Sequence, residues 1–203
     1  MSAVERRITP TVVVVEVRSA QPSEQAAIEA VVAAAFEEDV NGPVVSMVRA
    51  LDAAGVTRLS LVAYDDGVVG HVQLSRAWID ARSRLVDALM LTPLSVVPER
   101  QRRGIGVHLL RESLHRADES GAAAVFLEGD PNYYGTRGFV SATSLDFLRP
   151  SRRIPDAGFQ VATLSRYERW MNGQVVYPQA MWETDSVGLR DPRLASVEER
   201  MDS

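Results

Sequence analysis

The chain has 203 residues, 46% of them hydrophobic, with no cysteine and a formal net charge of −5 at pH 7. Such a length suits one domain with a proper core, and the lack of cysteine excludes disulfides and thiolate metal sites, in keeping with a reducing cytoplasm. Net acidity argues against a nucleic-acid partner, and with neither an apolar run near ~20 residues nor an export signal in MSAVERRITP, no membrane partner is expected.

Residues 1–11 read as a loose lead-in. The run 12–18, VVVVEVR, is β-branched and continuous, which predicts a buried strand. Pro22, Ser23 and Glu24 open an alanine-rich helix to about residue 38, with Ile28, Val31, Val32, Ala35 and Phe36 on its buried face. Asn41, Gly42 and Pro43 are predicted to break it, and a second helix spans 44–54. Strands over 59–64 and 68–78 are joined by Asp65, Asp66 and Gly67, a strong hairpin signal. The apolar run 84–97 contains Pro93, which cannot donate to a ladder and so marks an edge or a bulge.

Residues 94–121 carry the most specific pattern. A strand meets Pro98, then a turn with Gln101, Arg102, Arg103, Gly104, Ile105 and Gly106, then a helix with Ile105, Leu109, Leu110, Leu114 and Ala117 on one face. The first amides of such a helix have no internal acceptor and bind anions; glycine allows close approach, and the arginines suit phosphate oxygens. A dinucleotide-binding turn would need a third glycine where Leu109 stands, although Glu128 lies about where its ribose-binding acid would fall. The chain has neither a P-loop ending nor a hydrolase Gly-x-Ser-x-Gly, and His71, His108 and His115 are too scattered for a metal pair. A short apolar strand at 122–128 completes a parallel strand-helix-strand unit. Residues 131–138 read as a short helix, with Asn132 as its cap. Strands are expected within 141–148, 159–167 and 173–182, with a loop at 150–158, and 185–203 as a mobile polar tail.

The string V-x-P-x-x-Q-R-R-G-I-G-V at 96–107 closely resembles the acyl-CoA pyrophosphate motif of the GNAT superfamily of N-acyltransferases. The stretch at 129–139 resembles the GDPxYYxxxGF sequence of one bacterial GNAT subgroup, and the similarity covers most of 12–184. The resemblance implies an α/β, single-domain GNAT-like fold over 1–184, its mixed, mostly antiparallel sheet built around the parallel β-α-β unit. It implies acetyl-CoA as co-substrate with no metal, and transfer of its acetyl group to an amine acceptor, a primary amine of a small molecule or peptide, in a ternary complex. A non-catalytic acyl-CoA-binding or regulatory domain on the same fold is the alternative, and oligomeric state, a homodimer included, stays open.

By resemblance the cofactor contacts are Leu94, Ser95 and Val96, through free backbone groups beside a break in the fourth strand, and Arg102, Arg103, Gly104, Ile105, Gly106 and Val107 at the turn. Tyr134, four residues before Gly138, takes the place of the acid that stabilises the leaving thiolate, with Tyr133 as its packing neighbour. Many relatives place a basic glutamate where this chain has Met90. Glu128 is then the first candidate base, followed by Asp87, His71 or water. The two helices near Glu37, Glu38 and Asp39 would lie over the acceptor.

Overall fold

The computed structural model describes residues 15–188. In chain order they form β1 (Glu16–Ser19), α1 (Gln25–Ala35), α2 (Glu38–Ala53), β2 (Thr57–Tyr64), β3 (Val68–Ala81), β4 (Leu85–Val96), α3 (Ile105–Glu119), β5 (Ala124–Glu128), α4 (Pro131–Tyr134), β6 (Val140–Ser141), β7 (Phe147–Leu148), β8 (Phe159–Thr163), β9 (Gly173–Val176) and α5 (Gln179–Glu183).

The strands join one sheet in the order β1-β2-β3-β4-β5-β8-β6, with β9 on β3 and β7 on β9. β4 and β5 run parallel, joined by α3 as a crossover; β7 and β9 make a second, short parallel pair, and the other pairings are antiparallel. The β2–β3 hairpin closes at Asp66 and Gly67, whose φ angles are 53° and 143°, with Asp65 N donating to Gly67 O at 2.9 Å.

Alternation along the central strands sends side chains to two cores. Met90, Ala124 and Phe126 join Ile28, Val32, Met47, Val48 and Leu51 on the α1–α2 face, while Leu89, Leu91, Val125 and Leu127 join Leu109 and Leu110 under α3. Phe126 anchors the first core through ring contacts with Phe147 and Phe159, at centroid separations of 4.9 and 5.7 Å.

Several expectations change. β1 is an edge strand with no buried residue in its described part, because only β2 pairs with it; residues 12–14 lie outside the described part. The first break falls at Phe36 and Glu37, both extended, and Asn41, Gly42 and Pro43 lie inside α2. Pro43 stands just beyond the first turn, where its missing N–H removes a single helical bond. Ser113 takes a buried place on α3 and turns its hydroxyl to Leu110 O at 2.8 Å, leaving Leu114 half-buried. In place of a strand over 141–148, residues 140–148 hold two two-residue strands around a 3-10 turn, and the last predicted strand stops at Val176, because Pro178 ends the ladder and starts α5. Packing also passes the expected boundary at 184: Ser186 and Val187 are buried. The rest of the predicted tail lies outside the described residues.

Candidate active site

The site begins where β4 changes partners. Leu89 lies beside Val125 and Met90 beside Phe126, and the β4–β5 ladder ends there. In the next step along β3, Val72 pairs with Leu94 and Leu74 with Leu91, so Thr92 and Pro93 together face Gln73 alone. This is a β-bulge at the expected proline. Beyond it Leu94, Ser95 and Val96 remain paired to β3, while their other edge has no ladder to β5. Backbone polar groups on that edge, apart from the Val96 carbonyl taken up by the turn that follows, are open to a ligand. α2 covers the bulge, with Thr92 Oγ1 donating to Met47 Sδ at 3.8 Å.

Past Val96 the chain turns sharply into α3. Gln101 Nε2 donates to Val96 O at 3.0 Å, and Arg100 pairs with Asp65 at 2.6 Å, which ties the turn to the β2–β3 hairpin. Arg102 and Gly104 both take left-handed φ, 58° and 84°. His108 N makes the first helical bond, to Gly104 O, leaving the amides of Ile105, Gly106 and Val107 without a helical acceptor at the positive end of the macrodipole. Arg102 and Arg103 are exposed beside them. A groove of about 240 Å³ continues between α3 and the next turn, lined by Val107, Leu110, Arg111, Leu114, Thr136 and Arg137.

The opposite arm is built on the end of β5. Asp130, not Asn132, caps α4: its Oδ1 accepts from Asn132 N at 2.8 Å. The Tyr134 ring lies so close over Gly129 that a Cβ there would fall 2.4 Å from Tyr134 Cε2, so glycine is required. The ring meets Phe139 edge-on at 5.6 Å and Tyr133 at 4.9 Å. Tyr133 is half-buried, but its hydroxyl reaches across to α3, 2.9 Å from where a Cβ on Gly106 would sit. Its position is thus more than packing beneath the helix.

Glu128 shares the α1–α2 face with Ala124 and Phe126 by strand alternation. Part of the residue surfaces, but Oε1 is sealed with no hydrogen-bond partner, and Oε2 accepts from Gly188 N at 2.9 Å. Burial pushes its carboxyl up to about 8; Gly188 N–H, Tyr177 and Arg153 oppose the shift. Tyr177, itself buried, faces the same carboxyl without making a well-formed hydrogen bond to it.

The other candidate bases fall elsewhere. Asp87 is exposed near the opposite end of β4, where it pairs with Arg76 at 3.8 Å beside a cavity of about 260 Å³, six residues from Pro93. His71 is fully buried, with Nε2 3.0 Å from Ser60 Oγ, and burial pushes it down to about 4. Met90 is buried in the core. Glu37 and Glu38 are exposed at the start of α2. Among the described residues no group of three or more His, Asp or Glu is placed to hold a metal ion, and no helix is long and apolar enough to cross a membrane.

Sequence reasoning did not find Tyr177 or Ser186–Gly188. Tyr177 lay inside a predicted strand, and the closing segment has no periodic pattern; the single available sign was the Tyr177-Pro178 step, which ends a ladder.

The sequence profile of the acetyltransferase (GNAT) domain family matches residues 16–142. The Escherichia coli (strain K12) protein named uncharacterized N-acetyltransferase YhbS is 32% identical over 146 residues, which cover 71% of this chain and 84% of that protein. Its crystal structure in complex with CoA superposes with a TM-score of 0.73 at 28% identity, covering 82% of this chain and 91% of the other. A GNAT family acetyltransferase from Brucella melitensis, solved with acetyl-CoA, gives 0.66 at 32% identity over 82% of this chain and 97% of its own.

Proposed function

We propose how this chain, which belongs to the GNAT acetyltransferase family and is an acyl-CoA-dependent N-acetyltransferase, performs its reaction: an amine held on the α1–α2 side attacks the thioester directly in a ternary complex. The observation that carries this reading is the departure of β4 from β5 at Thr92 and Pro93, which leaves one edge of Leu94 to Val96 without a β5 ladder, next to the free amides of α3.

Acetyl-CoA supplies the activated acyl group. Leu94, Ser95 and Val96 would hold its pantetheine arm and acyl carbonyl through main-chain groups, and Arg102 to Val107 its pyrophosphate. The cradle fits: the amides of Ile105, Gly106 and Val107 lack helical acceptors, and no Cβ obstructs Gly106. Glu128 takes the proton lost by the ammonium. With the carboxyl near 8 and a primary ammonium near ~10, that transfer is uphill by only about 3 kcal/mol, much less than for an ordinary carboxylate. As the C–N bond forms and the C–S bond breaks, Tyr134 hydrogen-bonds to the departing thiolate and supplies a proton to it, and the phenolate is reprotonated by the second proton that the nitrogen sheds as the amide forms.

The test is release of free thiol from acetyl-CoA against a panel of primary amines, with wild type and Tyr134→Phe compared. Amine-dependent release is expected, with kcat about 10²- to 10⁴-fold lower in the Phe variant and acetyl-CoA affinity nearly unchanged. Full activity in the Phe variant would remove Tyr134 as the acid. CoA binding with no amine-dependent release would leave a binding domain.

A further inference from the structure

The GNAT reading assigns the anion cradle to the β4–α3 arm alone. A second donor approaches it from the β5–α4 arm. The Tyr133 hydroxyl lies 2.9 Å from the Cβ position of Gly106, and the same position is 3.8 Å from Val96 Cγ2. The phenol therefore crosses the gap between the two arms and ends at the first turn of α3.

Three features give this placement chemical direction. The ring is fixed from two sides: the Arg137 guanidinium stacks over it at 4.0 Å, and Tyr134 meets it edge-on. Arg137 Nη1 also donates to Tyr133 O, which holds the guanidinium to the same residue. The hydroxyl itself has no hydrogen-bond partner among the described residues, although burial of the ring raises its proton affinity and keeps it a donor at neutral pH. A held donor without an acceptor, beside three helix amides without acceptors, suits one anionic ligand shared between them.

Resting on the acetyl-CoA reading, we infer that Tyr133 is a specificity-determining residue whose hydroxyl donates to a phosphate oxygen of the acyl donor, closing the anion cradle from the side opposite α3. The cradle then recognises phosphate from two arms of the sheet. Tyr133 thereby favours a phosphorylated donor over an unphosphorylated pantetheine thioester.

Calorimetry with CoA, and competition by pantetheine, measured on wild type and Tyr133→Phe, tests this. Loss of a charge-assisted hydrogen bond should weaken CoA binding about 10- to 100-fold and leave the pantetheine constant unchanged, so the preference for the phosphorylated ligand shrinks by the same factor. The KM for acetyl-CoA should rise comparably. Thermal melting of the two proteins should coincide, since the ring and its Arg137 contact are retained. Unchanged CoA affinity would overturn the inference, and so would equal weakening of CoA and pantetheine, which places the hydroxyl on the thiol arm or in packing. Failure of wild type to bind CoA would instead overturn the acetyl-CoA reading beneath it.

Discussion

Glu128 owes its proposed role to what covers it. A carboxyl at a strand end is ordinarily solvated and ionised at neutral pH. Here Gly188 N–H meets one oxygen, the other oxygen has no partner, and burial lifts the group to about 8. Two consequences follow. The basic form is a minor species at pH 7 and grows as pH rises, so kcat should increase through about pH 8. Because the folded value lies above the ordinary 4.5, the folded state binds this proton more tightly, and stability from this group falls between pH 4.5 and about 8. Glu128→Gln should therefore abolish the acid limb of the kcat profile and reduce the loss of melting temperature between pH 5 and 8. A Gln variant that keeps both would dismiss Glu128 as the base. The residue itself was legible, being a charge at the end of an apolar strand. Its environment was not, since Gly188 arrives from 60 residues further along and carries no side chain to mark it.

At the scale of elements, periodicity was a better guide than breakers. Val44, Met47, Val48 and Leu51 are buried at helical spacing inside the predicted 44–54 helix, but the preceding Asn-Gly-Pro suggested a break that does not occur there. The helix starts earlier because Phe36 and Glu37 leave helical geometry and Glu37 O accepts from both Val40 N and Asn41 N. Gly42 is exposed, and apart from its chain neighbours and the backbone of its own helix a Cβ there would touch nothing within 4 Å, although the ring of the following Pro43 crowds a Cβ in helical backbone. Gly42→Ala should thus stabilise the protein by about 0.5–1 kcal/mol and raise the melting temperature by roughly 1–4 °C. A lower melting temperature would mean that the clash of the new Cβ with the Pro43 ring outweighs that gain. The turn before α3 was read more fully, because Gly104, with its φ of 84°, and Pro98 each answer a local backbone demand. The partners of Tyr133 and Tyr134 depend on how two arms of the sheet face each other, which no local pattern encodes.

For the whole molecule, the hairpin paired β2 with β3 and the strand-helix-strand unit made β4 and β5 a parallel pair, since short connections leave few topologies. β8 between β5 and β6, and β9 on the far end of β3, were not legible: these pairings join distant segments with little alternation of their own. The sheet that results opens between β4 and β5 beside the start of α3, and that opening is the proposed CoA site. The direct measurement is calorimetric titration of CoA into wild type and Gly106→Val. A Cβ there already lies 2.9 Å from the Tyr133 hydroxyl, so the branched side chain would displace that hydroxyl and intrude on the gap between the first turn of α3 and the β5–α4 arm. Affinity should fall about 100-fold or more, ~2.7 kcal/mol, with the melting temperature held within a few degrees. A folded Gly106→Val protein that binds CoA as tightly as wild type would contradict the account.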